Sequence, residues 1–228
     1  KYVKMKKNLS HIINVMFIPI LFVITIWIIK GFEPEFTTIE IQDFFNRYGI
    51  FSRDIKKLSG IITFPFIHSN FSHLINNTYP ILILGGIIAV VYKTIANKVF
   101  LFSYLLSGMI LWIIGDDKVP TIGASGIIYA LASFVLVSGF IKNQPRLAML
   151  SFLVIFLNLS NIWDIIPIEL GDSVSRIGHL SGFIAGTIIA IYFRNKGPQE
   201  KKYNYELEEE IEQERKDIDI NYIYKKDE

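Results

Sequence analysis

Apolar and polar positions divide the chain into blocks. Ile12–Ile29 is 18 residues without a charge, and an uncharged apolar stretch of about 17–25 residues has the length of a membrane-crossing helix. Pro19 lies inside this block; lipid-embedded helices tolerate proline because neighbouring helices can satisfy the freed carbonyl. Ile61–Tyr92 runs for 32 residues without Asp, Glu, Lys or Arg. That is too long for one simple span, and its first third is polar and contains proline, which places the second helix at 70–92. Val99–Gly115, Val119–Ile141, Leu147–Trp163 and Ile177–Phe193 follow. The pattern predicts an all-α polytopic membrane protein: a six-transmembrane-helix bundle over residues 12–194, after an N-terminal segment 1–11 and before a charged tail 195–228.

Charge between the blocks supports this count. The N-terminus holds Lys1, Lys4, Lys6 and Lys7, the second connection holds Lys93 and Lys98, and the fourth holds Lys142 and Arg146, none with an acid. Arg194 and Lys196 end the sixth span. The other connections are acidic or mixed, with Asp116, Asp117 and Lys118 in one and Asp164, Glu169, Asp172 and Arg176 in another. Lys/Arg excess marks cytoplasmic loops, so both termini are expected in the cytoplasm, and the expected location is a bacterial inner (cell) membrane. The first outer loop, 31–59, mixes charges with Phe32, Phe36, Phe44, Phe45, Tyr48 and Phe51. It reads as an ordinary loop or as a short helix lying in the outer interface. In the tail, Glu206–Arg215 reads as a solvated helix.

Composition then narrows the chemistry. Of 228 residues, 51% are hydrophobic and 19% charged, against roughly 25% charged in soluble proteins. This excludes a disordered chain and fits a soluble enzyme poorly. The absence of cysteine removes thiol catalysis, disulfides and zinc-thiolate or iron–sulfur sites. Histidine chemistry has only His11, His68, His73 and His179 to draw on. No basic patch with interleaved aromatics suggests a nucleic-acid partner.

Polar side chains at membrane depth are costly unless partnered or facing a wet cavity, so they are functional suspects. Residues 68–78 read His-Ser-Asn-Phe-Ser-His-Leu-Ile-Asn-Asn-Thr, eight polar residues in eleven. His73 and Asn77, spaced i, i+4, share one helix face. His68, five residues from His73, falls about 140° away on the same wheel if the helix reaches it, and so outside the same focus. The fourth span opens with Gly123-Ala-Ser125-Gly126, with Tyr129 one turn later. This puts a serine at a loop-to-helix junction, where free N–H groups can stabilise an anion, although Gly-Ala-Ser-Gly is also ordinary small-residue packing. In the sixth span Gly178, Gly182 and Gly186 repeat every four residues, a ridge that permits close helix approach. His179 adjoins it.

The predicted topology sets Ser125, His179, His73 and Asn77 at one depth below the outer surface. A serine becomes a nucleophile beside a base such as neutral histidine, and the tetrahedral intermediate needs donors aimed at its oxyanion. His73, Asn77 and the Ser125 backbone N–H can supply them. No acid lies within any predicted span, so a Ser–His dyad is expected rather than a triad. Tyr129 lies on the Ser125 face, where it can pack on the His179 ring.

These residues resemble the rhomboid family of intramembrane serine proteases in its basic six-span form. The resemblance covers residues 12–194 and rests on His73-x-x-x-Asn77, Gly123-x-Ser125-Gly126 with Tyr129, and Gly178-His179 with Gly182 and Gly186. It implies that Ser125 is the nucleophile, that His179 is the base, and that His73 and Asn77 line the oxyanion hole. It makes His68 a structural or supporting residue. It further implies cleavage of single-span membrane protein substrates within or near their transmembrane helix, with no metal or organic cofactor. One departure stands out. Many members carry a Trp-Arg pair in the first outer loop, whereas here residues 31–59 lack tryptophan, and Arg47 and Arg53 follow Asn46 and Ser52.

Hydrolysis needs water where lipid excludes it, so the polar cluster is expected to hold a cavity open to the outer face. The fifth span and the Trp163–Ser175 connection, with Pro167 and Gly171, are candidates for a moving gate by position. Two other classes compete. One is a catalytically silent rhomboid-like protein that binds transmembrane clients. The other is a transporter or metal binder using the histidines, against which stand the absence of intramembrane carboxylates and of an inverted repeat.

Overall fold

A computed structural model describes residues 2–32, 38–158 and 173–198, together with residues 208 and 211–213 of the tail. Residues 1–198 and 199–228 separate as two compact units. Eight α-helices occur among the described residues of the first: α1 Tyr2–Phe32, α2 Thr38–Tyr48, α3 Gly60–Thr63, α4 Phe71–Val91, α5 Ala96–Ile114, α6 Ser125–Ile141, α7 Pro145–Asn158 and α8 Ser173–Tyr192. No strand occurs among them. In the tail, residues 208 and 211–213 are helical; most of the Glu206–Arg215 run lies outside the described residues.

Among the described residues, three helices are long and apolar enough to cross a membrane: the Asn14–Phe32 part of α1, all of α4 and all of α5. The 17-residue stretches Ser125–Ile141 and Arg176–Tyr192 are apolar but shorter. Phe17, Ile24, Ile28, Tyr79, Ile83, Leu101, Met109 and Ile188 point outward, exposed. Such a large apolar exterior is unfavourable in water and natural against lipid. The protein is therefore an all-helical integral membrane protein.

Helix α6 is the axis of the fold. Its residues Gly126 through Val135 are all buried, as expected of a helix that is apolar on every side. Against it lies α8. A Cβ on Gly182 would strike the carbonyl of Gly126, and one on Gly186 would strike that of Ala130. The two backbones therefore meet directly, and the predicted glycine ridge has found its partner. Hydrogen bonds add direction to this contact: Ser133 Oγ donates to Phe183 O at 2.8 Å and lies 3.0 Å from Thr187 Oγ1. On the other side, α1 packs on α4 with Pro19 against Gly85, where a Cβ would lie 3.0 Å from the proline ring. Tyr92 Oη donates to Ser138 Oγ at 2.8 Å and ties the end of α4 to α6.

The 31–59 loop is ordered where it is described, and it is joined to the end of α5. Ser52 Oγ donates to Leu111 O at 2.9 Å, while Arg53 Nη1 donates to Ile113 O and Gly115 O at 3.2 and 2.9 Å. Ile113 O and Gly115 O lie at the end of α5, where carbonyls lack intrahelical partners, while Leu111 O also accepts from Gly115 N at 2.8 Å. Arg53 holds this position with a positive φ of 61° and also faces Asp117 at 3.5 Å. The 31–59 loop thus contains α2 and the short 3-10 turn Ile55–Lys57, and α3 with a second 3-10 turn, Phe64–Phe66, follows it before α4, so the connection is more structured than a single interfacial helix.

Several expected boundaries shift: the first helix begins at Tyr2 rather than Ile12, so the 1–11 segment is helical from Tyr2 on, and the third and sixth begin at Ala96 and Ser173. The fourth helix begins at Ser125 rather than Val119, because the preceding residues are drawn into backbone pairing. Ile50 and Thr121 exchange N–H···O bonds of 2.9 Å, and Gly123 N donates to Phe64 O at 2.9 Å. The fifth helix begins at Pro145 and is described to Asn158. The rest of the Leu147–Trp163 block and the proposed gate with Pro167 and Gly171 lie outside the described residues.

Candidate functional site

The site is built on the starts of α4, α6 and α8. Helix α4 has a side-chain cap: Asn70 is extended, with φ −155° and ψ 172°, and its Oδ1 accepts from His73 N at 2.8 Å. Such a cap satisfies one of the first N–H groups of the helix. It also fixes His73 in the first turn, half-buried, with Asn77 buried one turn further on.

Gly123 brings the α6 approach onto this face. Its φ is +102°, a region that residues with a Cβ rarely occupy. A Cβ here would lie 2.7 Å from His73 Cε1, 2.8 Å from His73 Nε2 and 3.9 Å from Asn77 Nδ2. The loop backbone therefore rests on the imidazole edge, two residues before Ser125. Ser125 itself is the first residue of α6 and half-buried. Asn77 Nδ2 is buried and has no hydrogen-bond partner. A donor left unpaired inside a protein is rare and calls for an explanation.

Helix α8 supplies the third side. His179 is buried, and its ring stacks on Tyr129 with centroids 4.2 Å apart and planes 25° from parallel. The expected packing of Tyr129 on His179 is thus realised. Gly126 lies under Gly178, whose carbonyl oxygen would be 3.5 Å from a Cβ on Gly126. Ser181 Oγ donates to that same carbonyl at 2.7 Å. The structure thus gathers the expected residues in two linked groups: His73, Asn77 and Gly123 on one side, and Gly126, Tyr129, Gly178 and His179 on the other. Ser125 lies between Gly123 and Gly126 in the chain.

His68 is closer to the site than the helical wheel suggested. Helix α4 starts at Phe71, so the wheel does not apply. The turn before it carries the His68 ring to 5.0 Å from that of His73, edge to face. His68 is fully buried. Burial above all, and then the neighbouring His73, hold its imidazole well below the usual histidine range, at about 3. It is a neutral packing partner for His73.

Other residues support the site without having been singled out from the sequence. Lys30, at the C-terminal end of α1, donates to His68 O at 2.9 Å and Ser69 O at 3.4 Å. Trp27 Nε1 donates to Thr78 Oγ1 at 3.0 Å. Ser69 Oγ lies 3.2 Å from His73 Nδ1. Only Asn70 had a local signal, a cap residue three positions before His73. The partners of Lys30 and Trp27 are set by the α1–α4 packing.

Residues 56–196 match the sequence profile of the Rhomboid domain. Among curated proteins, the chain is 33% identical over 140 residues to an uncharacterised protein of Mycobacterium tuberculosis, covering 58% of this chain and 58% of that one. It is 30% identical over 181 residues to an uncharacterised protein of Mycobacterium leprae, covering 72% and 71%. A protein of Acanthamoeba polyphaga mimivirus, whose name assigns it provisionally to the rhomboids, is 27% identical over 154 residues, covering 66% and 83%. The chain thus spans less than two thirds of the length of the Mycobacterium tuberculosis relative.

Proposed function

The chain belongs to the rhomboid family, and from that premise we propose that it is an intramembrane serine endopeptidase with Ser125 as nucleophile and His179 as general base. In this reading His179 takes the Ser125 hydroxyl proton as Oγ attacks a substrate carbonyl. The proton then passes to the leaving amine, and water hydrolyses the acyl-enzyme by the same route. His73, Asn77 and the first N–H groups of α6 donate to the oxyanion. Tyr129 orients the His179 ring by stacking, and the close approach of Gly126 and Gly178 brings the starts of α6 and α8 together. No metal or cofactor is required.

The observation that carries this reading is the unpaired, buried Asn77 amide beside Gly123 and the His73 edge. A purely structural asparagine would be expected to use its donor; one awaiting a transient oxyanion keeps it free.

The reading includes six spans with both termini cytoplasmic, in a bacterial cell membrane, and a site open to the outer face. Substrates are single-span membrane proteins. A helix hides its carbonyls, and unwinding it in lipid would strand backbone groups. The scissile segment must therefore leave the lipid for the wet site, and helix-weakening residues near the outer end of the substrate span favour cleavage. The test is cleavage of a labelled single-span protein by purified chain in detergent or liposomes. Wild type should cleave and Ser125→Ala should lose at least about 10⁴-fold in rate. Retained cleavage by Ser125→Ala would overturn the assignment and leave a client-binding role.

A further inference from the structure

We propose that Ser69 and Asn70 are positioning residues that set the tautomer of His73, leaving its Nε2 protonated toward the site. This rests on the reading of His73 as an oxyanion donor. The chain of donors starts from a group with no choice of role. The backbone N–H of His73 can only donate, and it lies 2.8 Å from the Asn70 side chain, so Asn70 Oδ1 must face it. That orients the amide. Nδ2, which can only donate, then lies 3.4 Å from Ser69 Oγ. Ser69 accepts there through one of its two lone pairs, and in the proposed relay its single hydrogen fills the 3.2 Å contact with His73 Nδ1. An Nδ1 that accepts carries no proton, so the neutral ring carries it on Nε2.

Nε2 is also a ring atom that faces Gly123, 2.8 Å from where a Cβ would stand. The proton set by the relay thus points at the approach to Ser125. With the opposite tautomer a lone pair would face the developing oxyanion and oppose it. Lys30 holds the turn in place through the carbonyls of His68 and Ser69. A histidine whose far nitrogen is engaged has its tautomer chosen by that bond. Here the choice propagates from one backbone N–H through two side chains.

The full chain in detergent, with histidine labelled with 15N, tests this by NMR near pH 8, with the His73 signals identified by their loss in His73→Gln. Wild type should show Nε2–H and a bare Nδ1. Asn70→Asp keeps the acceptor for His73 N and removes the amide donor. Ser69 then turns its hydrogen to the carboxylate and accepts from His73, so the ring should switch to Nδ1–H. Its kcat should fall by roughly 10- to 100-fold with KM unchanged, as for other partners that orient a histidine. Ser69→Ala should give mixed tautomers, and Ser69→Thr should restore Nε2–H. Should Ser69→Ala fail to fold, Asn70→Asp carries the test, because the carboxylate keeps the helix cap. A wild-type ring protonated at Nδ1, or a tautomer unmoved by Asn70→Asp, overturns the proposal. A wild type that shows the Nε2–H ring yet cleaves nothing overturns the protease reading and leaves the relay standing.

Discussion

The contact between α6 and α8 and the start of α4 hold the same site by opposite means. The first works by omission: glycines at 182 and 186 let two backbones touch, and one pair of hydroxyls, Ser133 and Thr187, is its main polar feature. The second works by direction: Asn70, Ser69, Lys30 and Trp27 each place a donor against a specific acceptor. A packed contact has one depth and tolerates no added atom. A hydrogen-bonded turn keeps its shape when one group is lost, but loses the direction of a proton. Damage to the first should therefore register as stability, and damage to the second as rate.

Gly182→Val gives the largest break. Its branched side chain meets the Gly126 carbonyl and Tyr129, neither of which can retreat, and should destabilise the fold by about 3 kcal/mol or more. Thermal unfolding in detergent should show a large fall, and a near-normal midpoint would mean that α8 is not seated as described. Asn77→Ala follows. It should cost about 10²-fold in kcat, or somewhat more, for one lost oxyanion donor, with the unfolding midpoint nearly unchanged because the buried Nδ2 has no partner to lose. An unchanged rate would remove Asn77 from the site. Ser133→Ala should have the smallest effect, about 0.6 kcal/mol for an interhelical hydrogen bond in a membrane protein. Its kcat should remain that of wild type; a rate loss larger than its stability loss would show that the two means of support are not separable.

The division between packing and direction also explains what could be read from the sequence. The glycine ridge at 178, 182 and 186 was visible as spacing, and the His73–Asn77 face was visible as a helical repeat. Both follow from the period of one helix. The partner of the ridge, Gly126 and Ala130, lies on another helix, and no periodicity names it. His68 was misplaced because the wheel assumed a helix that Asn70 stops from reaching it; a cap residue three positions before His73 was the available warning. The apolar pattern starts the fourth helix at Val119, six residues before Ser125, for a similar reason. Residues 119–124 are as apolar as a helix but are engaged by Ile50 and Phe64, contacts that close over more than fifty residues. The first outer loop lacks the Trp-Arg pair, yet Arg53 and Ser52 join it to the end of α5, which no local pattern announced.

The burial of α6 on every side from Gly126 to Val135 has a consequence for how the protein comes into being. A helix whose first ten residues after Ser125 have no lipid-facing surface has no environment of its own there until its neighbours surround it. Most of one wall of its enclosure, α8, emerges from the ribosome after α6 does. The interior must therefore stay unsealed until the later helix arrives and its glycines dock. Ser125 and His179 are carried on those two helices, so completion of the packing and assembly of the proposed reactive pair are a single late event. A half-made chain holds the serine but not the histidine, and in the proposed mechanism it cannot cut its neighbours in the crowded membrane where it is being inserted.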